Sequence, residues 1–217
     1  MMHSAIERDY RGSKCLYIFF GGISNGVEIP PFEFYNAARI LDADKIFVRD
    51  LKQAWYQAGL QNQTSNIPET TALLKREIQE VNPDQVMCVG GSMGGFASML
   101  FAPLIGATKA VVFSPQTFIS PWSRIRYRDG RWKKEILRMY RRSFFLPKIW
   151  DIKSHLQRHP AAVDVYYAKN HHLDHLHVIR LAALPSVTLH AMPGSGHNVV
   201  RKLRDDNVLK DALRPPM

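Results

Sequence analysis

Cysteine is nearly absent from this chain of 217 residues: there are two, Cys15 and Cys88, each inside an apolar, strand-like run. Two isolated thiols exclude a disulfide framework and any cysteine-based zinc motif, and both read as small buried hydrophobes. Long apolar runs are also lacking. No stretch reaches the roughly 20 residues that a membrane-spanning helix needs, and the opening MMHSAIERDYRGSK has no apolar centre of an export signal. A cytoplasmic location is therefore the expectation. The sequon Asn62-Gln63-Thr64 carries no weight without such a signal. Internal repeats and low-complexity tracts are missing too, which excludes solenoids and disordered linkers.

Acidic residues are in short supply: 19 Asp and Glu stand against 29 Lys and Arg, a net charge of +10. The imbalance is local. Between Pro121 and Pro160 there are twelve Lys or Arg and three Asp or Glu, so one segment carries nearly all the excess. Such a block points to a local anionic partner or surface rather than to a generally basic protein.

What is present is a folded domain. Apolar residues make up 46 % and charged residues 22 %, enough for one globular unit with a sizeable core. Strand-like and helix-like stretches alternate. Strands are predicted at Lys14–Phe20, Lys45–Arg49, Gln85–Val89, Lys109–Phe113, Val163–Ala168 and Ser186–Ala191. Helices are predicted at Phe32–Leu41, Pro68–Val81, Met93–Ile105, His172–Leu184 and Asn198–Leu213. Continuous apolar strands separated by helices argue for an α/β fold, a parallel sheet of about six strands covered on both faces. Residues 117–160 interrupt the alternation and read as an insertion within that single domain.

The chemistry-bearing stretch is Gly90-Gly91-Ser92-Met93-Gly94, which fits G-x-S-x-G between an apolar strand and an apolar helix. In so tight a turn the serine hydroxyl stands clear of the sheet. The residues two before and two after approach so closely that a Cβ would clash, hence Gly90 and Gly94. A phosphate-binding loop would need Gly-Lys-Ser/Thr, and a dinucleotide fingerprint G-x-G-x-x-G; the sequence has neither. A serine that merely caps the helix is the plainer alternative.

On these residues the chain resembles the α/β-hydrolase superfamily, from Lys14 to about Leu213. The resemblance implies a three-layer α/β sandwich, a nucleophile, an acid and a histidine in that chain order, and no cofactor. It makes Ser92 the nucleophile. His197, in the loop Met192-Pro193-Gly194-Ser195-Gly196-His197 after the last strand, becomes the general base. Asp174, six residues beyond the penultimate strand, becomes the acid that orients it. Asp164 is the rival, but it sits at the start of its strand, the wrong end for the site. The oxyanion hole falls to the backbone N–H of Met93 and one from the loop after the first strand, Gly22 or Ile23, where many members carry His-Gly instead of this chain's Gly-Gly. The two antiparallel strands that usually lead the fold are expected to be missing, because only some thirteen residues precede Lys14.

The resemblance also implies that the basic insertion lies over the site as a helical lid. Within RWKKEILRMYRR, Trp132, Ile136, Met139 and Tyr140 share one helical face and cations occupy the rest, and SFFLPKIW (143–150) continues as an aromatic run. That pattern fits a cap packing its apolar stripe inward. It also fits recognition of an anionic substrate group or contact with an acidic membrane surface. Arg124, Arg126 and Trp132, with Trp55 and Tyr56 from the loop after the second predicted strand, are the candidate substrate-binding residues. Trp55 and Tyr56 can equally be core. No nucleic-acid motif is present, and none of these partners is expected to be nucleic acid. His171 and His175 have i, i+4 spacing, but no H-E-x-x-H pattern accompanies them and no metal is expected. The expected activity is ester hydrolysis through an acyl-enzyme on a small-molecule, glycan or lipid ester. A thioesterase or acyltransferase with the same triad, or an inactive binding module of this fold, are the alternatives.

Overall fold

The computed structural model describes residues 4–23, 34–142, 148–194, 196–197 and 199–216. Its centre is a seven-stranded sheet in the order β1-β3-β2-β4-β5-β6-β7, formed by β1 (Ile6–Asp9), β2 (Cys15–Phe20), β3 (Asp44–Val48), β4 (Gln85–Gly91), β5 (Lys109–Phe113), β6 (Val163–Ala168) and β7 (Val187–Met192). Strands β2 to β7 run parallel, and β1 pairs antiparallel with β3 at one edge, Ile6 opposite Val48. The six predicted strands are all present. The seventh, β1, corrects the expectation that no antiparallel strand leads the fold: one does, built from IERD.

Alternation along the strands sorts the side chains into two cores, because successive residues of a strand face opposite ways. Leu16, Ile18, Phe20, Ile46, Val48, Cys88 and Val112 join one cluster. Tyr17, Phe19, Phe47, Met87, Val89, Val111 and Phe113 join the other. Cys88 is fully buried as expected, whereas Cys15 is only half-buried, at the start of its strand.

Two helices cover the first core. α1 (Ile67–Val81) starts at Asn66, whose side chain accepts the Glu69 N–H at 2.8 Å, while Glu69 accepts from the Ser65 N–H at 2.8 Å. The cap satisfies one orphan donor of the first turn, the Glu69 N–H, and ties down the residue that precedes the cap. α2 (Ser92–Ile105) is buried nearly all round and ends at Gly106, in the left-handed region at φ +70°. A helix apolar on every side belongs in the interior. Between β5 and β6 the chain inserts α3 (Pro121–Arg126), α4 (Lys133–Arg142) and α5 (Ile152–Arg158). α4 buries Ile136 and Met139, with Trp132 and Tyr140 packed against the same core, so the predicted apolar stripe does face inward.

The helix predicted over His172–Leu184 is shorter, α6 (His172–Ile179). The single C-terminal helix is two, α7 (Val199–Asp205) and α8 (Leu209–Ala212), separated at Asn207, which sits at φ +59°. Of the helix predicted at 32–41, a 3₁₀ turn at Ala37–Ile40 is seen, and Phe32 and Glu33 lie outside the described residues. Ser143 to Pro147 of the aromatic run lie outside them as well. Among the described residues no helix is long and apolar enough to cross a membrane.

A polar clamp ties the edge strand to α1. Glu77, on α1, accepts from Arg8 Nε at 2.6 Å and from the Tyr10 hydroxyl at 2.8 Å. The Arg8 hydrogen bond holds the Glu77 carboxyl below the usual carboxylate range, against the opposing effect of burial. A depressed carboxyl stabilises the fold in its ionised form. That contribution is complete above the ordinary glutamate value of about 4.3 and is lost as pH falls from there through the lower folded-state value. Glu77→Ala should cost about 1–2 kcal/mol at pH 7. Chemical denaturation across pH should show the difference from wild type shrinking below about pH 4; a pH-independent gap would contradict the clamp.

Candidate active site

Six parallel strands bring their C-terminal ends to one edge of the sheet, and every candidate catalytic residue follows one of those ends. The order of the strands reverses between β2 and β4, since β2 is followed in space by β3 on one side and β4 on the other. Crevices form at such a reversal in open α/β sheets. Gly22 and Ile23 follow β2 on one side of this reversal and Ser92 follows β4 on the other.

The turn at Ser92 is held by close backbone contact. Ser92 itself sits at φ +50°, a left-handed conformation that a non-glycine residue adopts only under constraint. A Cβ added at Gly90 would stand 2.3 Å from the Gly94 backbone, and one at Gly94 would stand 2.0 Å from the Phe20 carbonyl oxygen. Both glycines are therefore required, as the pentapeptide predicts. Gly95 adds a third close approach, 2.8 Å to the Pro115 Cβ. Met93 lies in the first turn of α2, where backbone N–H groups have no acceptor within the helix. Ile23 and Gly22 are half-buried on the neighbouring loop, and Ser24, Asn25 and Gly26 lie outside the described residues.

His197 and Asp174 meet, although 23 residues separate them. The imidazole Nδ1 stands 2.9 Å and 2.8 Å from the two Asp174 carboxylate oxygens. The aspartate is 1 % exposed and the histidine side chain 41 %. Burial resists ionisation of Asp174, but the hydrogen bond from His197 and the positive charge it carries when protonated, with that of His171, outweigh it and hold the carboxyl below its ordinary value. Asp174 is thus an ionised acceptor that dictates which imidazole nitrogen carries the proton, leaving Nε2 as the free base. Among the described residues no hydrogen bond joins Ser92 to His197. The rival Asp164 is engaged elsewhere, paired with Lys109 and with His190 at 3.3 Å.

Sequence reasoning missed what surrounds Asp174. Arg131, from the insertion, donates Nη1 to Asp174 Oδ1 at 3.3 Å, and its Nε and Nη2 to both oxygens of Asp129 at 3.0 Å. Asp129 is buried and accepts a further bond from His177 Nε2 at 2.9 Å. The Thr117 N–H, 2.9 Å from His177 Nδ1, makes Nδ1 the acceptor and so assigns the ring proton to Nε2. Burial, countered by Asp129, keeps His177 below its usual pKa and neutral. Asp129 is itself held far below the carboxylate range: hydrogen bonds from His177 and Arg131 overcome its burial. One guanidinium therefore ties the insertion to Asp174. Nothing in the spacing of RDGR foretold it, because the partners lie 43 and 48 residues apart along the chain.

His171 pairs with Asp174 rather than with His175. Its Nδ1 accepts the Asp174 N–H at 3.2 Å, capping α6, and stands 3.1 Å from Asp174 Oδ1. His171, Asp174 and His197 thus bring three ligand atoms within 4.8 Å of one another, a set that could hold a cation. Arg131 already places a positive charge on that carboxylate and the α6 cap occupies His171 Nδ1, so the cluster reads as a hydrogen-bonded relay.

Trp55 and Tyr56 do not line an accessible pocket. Both are 0 % exposed. Both take left-handed backbone conformations, φ +50° and +60°, in a loop whose N–H groups of Lys52, Ala54 and Tyr56 all point at the buried Asp50 carboxylate, at 2.6–2.9 Å. The Trp55 indole N–H donates to Gln116 at 2.7 Å, and the Gln116 N–H donates to the Ser92 carbonyl at 3.2 Å. The Tyr56 hydroxyl donates to the carbonyls of Gly21 and Val48, at 3.0 Å and 3.2 Å, so both polar ends are spent inside the fold, Trp55's on support of the Ser92 turn. Arg124 is likewise mostly buried, Arg126 is exposed over the Tyr127 ring, and Trp132 is half-buried against the core.

No protein-family model matches the chain, and no curated protein matches it by sequence. Solved structures do match in shape. The capsule O-acetyltransferase of Neisseria meningitidis serogroup A superposes with a TM-score of 0.69 at 14 % identity, over 94 % of this chain and 90 % of that one. MGS-M2, an α/β hydrolase from a deep-sea metagenome library of the Medee basin, gives 0.62 at 16 % identity over 98 % and 94 %. MenH from S. aureus gives 0.61 at 12 % identity over 99 % and 100 %. The protein has an α/β-hydrolase-like fold.

Gly94→Ala should prevent folding or cost about 4 kcal/mol or more, because its Cβ would meet a fixed carbonyl rather than a movable side chain. Gly106→Ala meets open space and should cost about 1 kcal/mol from its backbone conformation alone. Thermal unfolding of the two variants checks this ranking, and equal losses would refute it. Arg131→Met should destabilise by about 3 kcal/mol through the uncompensated Asp129, with Arg131→Lys recovering only part, since an ammonium cannot bridge both carboxylates in the same geometry.

Proposed function

We propose that the protein is a serine hydrolase that cleaves esters through Ser92, His197 and Asp174. The observation that supports it most is the buried, ionised Asp174 bound to His197 Nδ1 at the same sheet edge as the strained Ser92 turn. The reading assigns the Ser92 hydroxyl to attack an ester carbonyl while His197 Nε2 takes its proton, and Asp174 stabilises the imidazolium that results. Charge developing on the carbonyl oxygen is met by the N–H of Met93 and of Gly22 or Ile23. Collapse of the tetrahedral intermediate expels the alcohol, protonated by His197. Water, activated by the same imidazole, then releases the acid and restores the serine. The half-exposed His197 completes its bond to Ser92 as substrate binds; such bonds are commonly loose in unliganded enzymes.

A second reading has one observation in its favour. A structural neighbour of this fold is an O-acetyltransferase, and the same acyl-enzyme passes to a sugar or other alcohol when that acceptor outcompetes water. The two differ only in the second half-reaction. Product partitioning with an acetyl ester in water, with and without added polyol, separates them.

A fluorophosphonate probe should label wild-type protein and fail to label Ser92→Ala. His197→Ala should lose nearly all turnover, and Asp174→Asn about 10⁴-fold in kcat, because the amide orients the wrong tautomer. Labelling that survives Ser92→Ala, or Asp174→Asn at wild-type rate, would leave only a binding module with a hydrolase fold.

A further inference from the structure

The insertion carries two faces of opposite character. α4 spends its apolar side on the core, and its outward stripe is Lys134, Leu137, Arg138 and Arg141, all exposed. α3 buries no residue at all. Trp122 and Ile125, one turn apart on it, are each 73 % exposed, more than any other large hydrophobic side chain among the described residues. Contiguous exposed apolar surface of this kind marks an interaction site.

Beside Ile125 lies a hollow of about 340 Å³, lined also by Arg124, Arg128, Asp129 and Tyr140. The Arg124 side chain is only 9 % exposed, and its Nη1 has no hydrogen-bond partner. The nearest carboxylate oxygen, on Asp129, is 4.0 Å away and belongs to a group already holding Arg131 and His177. A buried guanidinium nitrogen left without an acceptor is costly, and a phosphate oxygen is its natural complement.

We propose that α3 and this hollow form a docking site for anionic phospholipid at a membrane surface. A lipid phosphate sits in the hollow on Arg124 and Arg128, Trp122 and Ile125 enter the boundary between headgroups and acyl chains, and the cationic stripe of α4 faces the charge of the leaflet. The apolar pair decides for lipid over a soluble polyanion. A polyanion would neutralise the arginines and leave Trp122 and Ile125 in water, whereas a bilayer takes both. This site is independent of the ester-hydrolase reading: Trp122 and Ile125 stand mostly in solvent, and neither is assigned a part in the proposed reaction.

Sedimentation with vesicles of phosphatidylglycerol and phosphatidylcholine tests it, beside vesicles of phosphatidylcholine alone, free inorganic phosphate and dextran sulfate. The expected result is binding to the anionic vesicles, weak binding to neutral ones, and a blue shift in tryptophan emission. Trp122→Phe should abolish most of that shift yet keep binding. The double variant Trp122→Ser, Ile125→Ser should bind about tenfold or more weakly while unfolding at the wild-type temperature. Arg124→Gln should weaken binding to anionic vesicles and leave the weak neutral binding as it was. The proposal is overturned if no vesicle is bound, or if the double serine variant binds as wild type does. It is equally overturned if wild type binds dextran sulfate or inorganic phosphate as tightly as it binds the anionic vesicles, which would mean a soluble anion site.

Discussion

Everything at the C-terminal edge of the sheet depends on one close approach, the packing of Gly94 against the carbonyl of Phe20 with no room for a single carbon between them. That contact presses the first turn of α2 onto the end of β2. It fixes the turn in which Ser92 takes its left-handed φ and brings the start of α2 against Phe20 and Gly21. Gly90 repeats the constraint from the strand side, and the Trp55–Gln116–Ser92 chain supports it from below. Strain at one serine is tolerable because several independent contacts over-determine it.

The second organising element is electrostatic. A fully buried carboxylate such as Asp129 would be prohibitive alone, and Asp174 nearly so. Arg131 reaches both, His177 and His197 each add a donor to one of them, and the backbone of Thr117 settles the His177 tautomer. The network couples the insertion to α6, so the segment that bears most of the chain's net positive charge is anchored by one of its own arginines. Lys134, Arg138 and Arg141 of α4 are left to face outward. Anchoring and surface charge are two uses of the same basic segment, divided by whether a carboxylate lies within reach.

Legibility in the sequence followed the range of the interactions involved. The six parallel strands, α1, α2 and the turn at Ser92 were readable because each is written in local pattern: apolar runs, a Pro at the first helical turn, glycines at fixed offsets from a serine. β1 was not, since IERD has no apolar alternation and is a strand only because Val48 and Phe47 offer an unpaired edge. The split of the last helix at Asn207 was hidden by an apolar period that continues across it. Trp55 and Tyr56 were ambiguous for a related reason: an aromatic pair after a strand reads alike whether it faces a ligand or the core.

The sequence by itself determined the fold class, the direction of the strands and the place where a serine must be strained, because hydrophobic period and steric exclusion of Cβ act over a few residues. It also determined that positive charge would collect in one segment. Only the tertiary structure decided which carboxylate His197 would meet, that Arg131 would stand on the same carboxylate, and that Trp122 and Ile125 would be left in solvent. Those outcomes depend on which distant groups the packed layers bring within hydrogen-bond reach, and no local pattern encodes that distance.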